Sequence, residues 1–396
     1  MLKIENPIQN YDWGCCKSFK EFFGIDNPEN LPMAEMWMGS HPNGCSKVFL
    51  QGEWYSLSSI INNSPTEMLG DIISKKYSSL PFLFKVLAAD KPLSIQVHPN
   101  LDSAKLGFEN ENRLGIPFSS FNRNYKDDNH KPELIYALTN FTAMNGFRCF
   151  DEIVSLLKIL QSKIISADEF IREPSEQKLK ILFRNILELS DKEKTEELNN
   201  LLLVAKRNDS QPWSTVVDIS NHWPDDVGLF MPLLLNVISL KPGEAMFLDA
   251  CTPHAYMSGL GLEIMANSDN VLRAGLTNKY IDIQELIENV DFISRPFQSL
   301  IFNPEINGNI KRFNVPVEDF SFSIIDLKNK SHFYDNHLPI IAFCLEGNIF
   351  LNSTTGSLQL SKGESAFIPA NNLEFISEGI GTLVIASCGN NDFKVK

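Results

Sequence analysis

The sequence predicts a mainly β protein with a helical insertion: two jelly-roll β-barrel units plus an all-α domain. Three observations carry this. Residues 1–149 hold short apolar runs, among them SKVFL at 46–50, FLFKVLAA at 82–89 and SIQVHP at 94–99, broken by Gly, Pro and Asn. That is the pattern of strands separated by turns. Residues 150–209 instead place apolar residues three and four apart with charges between, in FDEIVSLLKILQSKII and QKLKILFRNILELSDKEKTEELNNLLLVAKR. This period predicts three or four amphipathic helices. Finally, Lys241-Pro-Gly-Glu-Ala-Met-Phe-Leu-Asp-Ala250 echoes Ser361-Lys-Gly-Glu-Ser-Ala-Phe-Ile-Pro-Ala370.

Each copy of the echo reads as a strand, a tight Gly turn and a second strand, the repeating unit of a cupin-type jelly roll. Ordinary Gly turns between unrelated strands are the simpler alternative. In the first copy His254 stands eleven residues after the Gly; in the second, Glu374 holds that place. We therefore expect a chemically equipped cupin barrel from residues 1–149 and 230–309, a helical insertion domain at 150–229, and a structural, metal-free barrel at 310–396.

The chain has 396 residues, 43% hydrophobic and 21% charged, enough to bury a large core without covalent staples. Its 28 Phe suit a ring-rich β interior. A net charge of −14 argues against a nucleic-acid or anionic-membrane partner. A phosphate ligand would need a locally positive site. The seven Cys (15, 16, 45, 149, 251, 344 and 388) show no Cys-x-x-Cys spacing and read as free thiols in a reducing compartment. The start, MLKIENPIQNYDWG, has no apolar signal region, and no run is long enough to span a membrane. The expectation is a cytoplasmic protein, monomeric.

Three segments hold metal-ligand residue types. In Ser94-Ile95-Gln96-Val97-His98-Pro99 the Gln and His, two apart on a strand, face the same way; alone, the pair reads more simply as a satisfied half-buried His. Asn129-His130-Lys131-Pro132-Glu133 packs base, cation and carboxylate together; alone, a charged turn is the commoner outcome. Thr252-Pro253-His254-Ala255-Tyr256 ends the first hairpin of the echo, where a cupin faces ligands inward. Together they offer Gln96, His98, Glu133 and His254, a mixed nitrogen and oxygen set that suits a catalytic zinc. His41, His222, His332 and His337 read as structural or surface residues, and His130 stays undecided. A fourth segment runs from Glu263 through Asp269 and Arg273 to Lys279. Its cations sit among apolar neighbours and suit phosphate or carboxylate recognition.

These residues resemble a known family. QNYDWG at 9–14 with AEMWMGSHP at 34–42, KPLSIQVHPN at 91–100, RNYKDDNHKPELIYALTNFTAMNGFR at 123–148 and TPHAYMSGLGLEIMANSDNVLRAGLTNKYID at 252–282 are similar to type I mannose-6-phosphate isomerases. The likeness runs from near residue 9 to near 295 and, more weakly, to the end. It implies a cupin holding one zinc per chain on Gln96, His98, Glu133 and His254. It implies an active-site arginine at Arg273, phosphate-facing groups at Ser94 and Lys279, and further substrate contacts at Tyr256 and Trp13. The implied substrate is a small sugar phosphate, mannose 6-phosphate exchanging with fructose 6-phosphate through an enediol(ate). The implied setting is mannose metabolism and GDP-mannose biosynthesis. Lys131, Glu263, Asp269 and a zinc-bound water are open candidates for the general base. Asn278 departs from the Pro usual in the family and bears on the loop carrying Lys279. Two rivals are an iron-dependent cupin dioxygenase and a non-catalytic sugar-binding cupin.

Overall fold

The computed structural model describes residues 1–328, 330–389 and 394–395, so part of the chain's last segment lies outside the described residues. Among the described residues the strands form two antiparallel sheets, one of ten strands and one of twelve. The ten-stranded sheet is organised by the long strand His254–Ala266, which pairs with Phe82–Ala89, Glu133–Ala137 and Phe141–Phe147. The twelve-stranded sheet is organised in the same way by Ile340–Ser353 and Glu374–Ser387.

The echo is real at atomic detail. Lys241 N donates to Glu244 Oε2 at 2.8 Å, and Ser361 N donates to Glu364 Oε2 at 2.9 Å. The turn glycines Gly243 and Gly363 both have left-handed φ, 93° and 85°. His254 and Glu374 each open a long strand, and each strand passes a glycine at φ 126° five residues later, Gly259 and Gly379. Register extends the match. Leu248 lies opposite Glu133, and its counterpart Ile368 lies opposite Ile340. Glu263 lies opposite Lys85, and its counterpart Leu383 lies opposite Ile325. The second unit therefore carries Ile340 where the first carries Glu133, and Ile325 with Leu383 where the first buries Lys85 with Glu263.

The sheets cross the expected boundary at residue 310. Leu2–Glu5 pairs with Ser365–Ile368 and with Lys47–Leu50, so the N-terminal strands complete the C-terminal sheet. They cover what would otherwise be an open edge beside Ser365–Ile368. One apolar core also runs between the units: Phe84 packs on Phe322 and Phe343 at centroid distances of 6.0 and 6.1 Å.

Among the described residues four helices lie within 150–209, Phe150–Leu160, Ile165–Arg172, Glu176–Leu187 and Asp191–Ala205, as the expected three or four allow, and a fifth, Trp213–Ser220, follows in the same insertion. Serine caps divide the periodic run: Ser175 accepts from Lys178 N, and Ser190 forms a capping box with Glu193. The helices' buried face shares one core with Ile95, Val97, Leu272 and Leu276, the strands and loop that carry the candidate site. No helix among the described residues is long and apolar enough to cross a membrane.

Candidate metal centre and active-site cleft

Strand pairing brings the predicted ligands together. His254 lies directly opposite Gln96, and Gln96 lies opposite Arg273. His98 follows two residues after Gln96 on the same face, and Glu133 opens the neighbouring strand. The ligand atoms of His98, Glu133 and His254 all lie within 4.8 Å of one another, and all three residues are buried. His98 Nε2 is 3.4 Å from Glu133 Oε1, and His254 Nε2 is 3.5 Å from Glu133 Oε2.

The rings are oriented from behind. His98 Nδ1 donates to Asn270 O at 2.7 Å, and His254 Nδ1 donates to Thr252 O at 2.9 Å. Each ring thus turns its Nε2 lone pair toward Glu133, the arrangement that metal-binding histidines use. His98 Nε2 is buried without a hydrogen-bond partner, which is costly unless something else satisfies it. Burial, helped by the Lys131 charge, pushes His98 down to about 4, so the ring is neutral and its lone pair available. Burial alone would raise Glu133, but Lys131 and the two histidines outweigh it and hold the carboxylate well below its usual range. Two imidazoles and one carboxylate fit a divalent cation of zinc type.

Asn270 is itself fixed by Asp127, from the polar loop that precedes Glu133. Its side-chain amide donates to Asp127 O at 2.8 Å, and Asp127 also accepts from Ser268 Oγ and Asp269 N, each at 2.7 Å. His130 turns away, with Nε2 3.0 Å from Asp319 Oδ2 in the C-terminal unit.

The centre lies beside a cleft of about 790 Å³ lined by Trp13, Ser94, Gln96, Lys131, Asp269, Arg273 and Lys279. Burial lowers the pKa of Arg273. Burial and the Arg273 charge together lower that of Lys279. Two cations that repel each other at one rim, in a chain of net charge −14, make a local anion site. Burial pushes Asp269 up, but the hydrogen bond and charge of His41, 3.4 Å away, and the charge of Lys131 bring it below the usual range.

One placement differs from the expected substrate contact. Tyr256 does not line the cleft; it is 5% exposed, and its hydroxyl donates to Glu263 Oε1 at 2.8 Å and reaches Glu133 Oε2 at 3.4 Å. It is a buried bridge because its alternation on the strand turns it inward with His254. His222, read as structural or surface, is exposed and lines the cleft with Trp223, because the insertion packs over the site strands. Glu263 is also set behind the cleft wall, with Oε2 accepting from Lys85 Nζ at 2.9 Å.

Lys85 was missed. It also reaches Glu35 Oε1 at 3.3 Å, while Glu35 Oε2 accepts from Trp37 Nε1 at 2.7 Å. Burial disfavours the Lys85 charge, but Glu263 and Glu35 reverse this and raise its pKa. The available signal was one Lys inside the apolar run FLFKVLAA. Its counterpart in the second unit is Ile325, facing Leu383, so the barrel folds without these charges. Lys85→Ile is expected to cost about 3–5 kcal/mol, because it strands buried carboxylates. Adding Glu263→Leu and Glu35→Gln should restore most of that. Urea unfolding of both proteins tests this; a triple variant as unstable as the single one would show that the charges hold the barrel together.

The geometry has close relatives. Models of the type I phosphomannose isomerase catalytic domain, its helical insertion domain and the mannose-6-phosphate isomerase cupin domain match residues 1–150, 156–235 and 309–388. The chain is 48% identical to mannose-6-phosphate isomerase of Shigella flexneri over 97% of this chain and 98% of that protein. Against its namesake in Schizosaccharomyces pombe it is 33% identical, over 94% and 95%. Among solved structures, a mutant phosphomannose isomerase from Salmonella typhimurium superposes with a TM-score of 0.96 at 46% identity, over 98% of this chain and 99% of that one. A zinc-bound mannose 6-phosphate isomerase superposes with a TM-score of 0.95 at 47% identity, with the same coverage.

Proposed function

The chain belongs to the type I phosphomannose isomerase family, and on that premise we propose that its cleft interconverts mannose 6-phosphate and fructose 6-phosphate with one bound zinc. The observation that carries this is the buried triad His98, Glu133 and His254, its rings preset by backbone carbonyls, beside a cleft rimmed by Arg273 and Lys279. His98, His254, Glu133 and the cleft-lining Gln96 would hold the metal, which would supply Lewis-acid polarisation of the sugar's oxygens.

The chain's own residues do the rest. The reaction moves a proton between carbons 1 and 2 and leaves negative charge on an enediolate oxygen in between. Arg273, cross-strand from the ligand Gln96, places a permanent positive charge beside that oxygen. The proton is carried by a group that faces the sugar. Lys131 and Asp269 line the cleft, whereas both oxygens of Glu263 are engaged behind it by Tyr256 and Lys85. Ser94 and Lys279 hold the phosphate away from the reacting carbons, so that its binding orients the sugar. Trp13, stacked on Tyr11 with centroids 5.8 Å apart, gives the cleft an apolar wall.

A coupled isomerase assay on the purified protein, with and without a chelator and after zinc is returned, tests the reading. Turnover should vanish on chelation and return with zinc. Full turnover after complete metal removal would sink the metal role. Stoichiometric zinc and bound sugar phosphate without turnover would make the protein a sugar-binding cupin. For Lys279→Ala, the KM for mannose 6-phosphate should rise about ten- to a hundred-fold, as expected for losing a charge-assisted contact. Turnover of unphosphorylated mannose should change little. An equal loss for both sugars would show that Lys279 does something other than hold phosphate.

A further inference from the structure

The chemistry of the cleft does not by itself explain why the helical insertion reaches it. Beyond the helix Trp213–Ser220, His222 and Trp223 line the cleft, and Trp223 Nε1 donates to Pro92 O at 3.3 Å. Three residues further on, Asp226 grips the opposite loop. Its Oδ1 accepts from Gly228 N at 2.7 Å and from Leu276 N at 2.8 Å, and its Oδ2 accepts from Thr277 N at 3.3 Å.

The gripped loop joins Arg273 to Lys279, and its conformation is not one a chain adopts freely. Gly275 has φ 126°, and Leu276, a residue with a Cβ, has φ 53°, in the left-handed region that costs a side chain energy. The fit is tight: a Cβ on Gly275 would come within 2.9 Å of Asp226 Oδ1, and a Cβ on Gly228 within 2.9 Å of the Leu276 side chain. The two ends of the loop are held by different partners. On the Arg273 side, Ala274 N donates to Ile95 O and Ile95 N donates to Gly275 O, at 2.9 and 3.0 Å. On the Lys279 side, Lys279 N donates to Thr277 Oγ1 at 3.0 Å, and Thr277 is held through Asp226.

We propose that Asp226 is a positioning residue, through which the helical insertion aims Lys279 at the substrate's phosphate. The insertion is then a clamp on the anion end of the cleft, while the barrel holds the metal end. This rests on the reading of Lys279 as a phosphate contact. Because barrel strands hold Arg273, losing the latch should be felt in substrate binding and little in turnover.

The test uses zinc-loaded full-length wild type, Asp226→Ala and Asp226→Asn. The KM and kcat for mannose 6-phosphate are measured, together with the affinity for inorganic phosphate by calorimetry. Asp226→Ala should raise the KM about ten- to a hundred-fold, the range for losing a charged acceptor, and weaken phosphate by a similar factor. Its kcat should stay within about threefold, with zinc stoichiometric. Asp226→Asn keeps the Oδ1 acceptor but turns an N–H₂ toward Thr277 N, so about three- to tenfold is expected. If Asp226→Ala does not fold, Asp226→Asn decides. Unchanged KM and phosphate affinity in a folded variant, or a loss confined to kcat, would overturn the latch. A wild type that binds phosphate but turns over no sugar phosphate would instead overturn the isomerase reading, and phosphate affinity would still judge the latch.

Discussion

His254→Ala is expected to lose bound zinc and to fall in turnover beyond about a hundred-fold, the upper end of what removing even an outer partner of a metal ligand costs. His254 Nε2 is one of three donors gathered within 4.8 Å, and its strand sets it directly opposite Gln96. The protein should nevertheless stay folded. Its core is built from apolar clusters that run from sheet to sheet and into the helices, and a chain of this size buries enough without a metal. The second unit supports this independently, since it keeps the same hairpin with Glu374 exposed at the His254 position and Ile340 at the Glu133 position. Zinc content by atomic absorption, circular dichroism and the coupled assay are read on the same sample. One zinc per chain is expected in wild type and none in the variant. Retained zinc with full turnover would remove His254 from the ligand set. A second tightly held zinc, lost only on mutating residues 310–389, would overturn the structural role of the second unit.

Arg273→Ala should keep zinc and lose turnover by about a hundred- to a thousand-fold, the usual effect of removing one preorganised donor to a developing oxyanion. The guanidinium stays protonated at any working pH, even with the lowering that burial causes, so its contribution is charge and direction. That charge matters most when the enediolate forms, which places the loss in kcat more than in KM. Arg273→Lys should not recover it, because a single ammonium does not reproduce the planar fork. Near-normal kcat in either variant, or loss of zinc alongside loss of activity, would show that Arg273 serves the fold or the metal instead.

Much of this was legible because local patterns report local physics. The change at residue 150 from short apolar runs broken by turn residues to a period of three or four marked the helical insertion, since that period follows from helix geometry. The Lys-Pro-Gly-Glu and Ser-Lys-Gly-Glu turns announced two related hairpins, and their backbone bonds to Glu244 and Glu364 are the same bond made twice. Gln96 with His98, then Glu133 and His254, could be named because ligand chemistry restricts the residue types. The helix boundaries were less legible: Ser175 and Ser190 start new helices as N-caps inside what reads as a continuous apolar period.

By itself, then, the sequence determined the fold class, the helical insertion, the internal repeat and the donor types of the metal centre, because each is written in neighbouring residues. Only the tertiary structure decided what faces what. It moved Leu2–Glu5 into the far sheet, turned Tyr256 and Glu263 behind the cleft wall, and drew Lys85, Glu35, His222 and Asp226 into or beside the site. These depend on pairings between residues tens to hundreds of positions apart. Such pairings are selected by burial and by the need to satisfy every buried charge, and no local period records them.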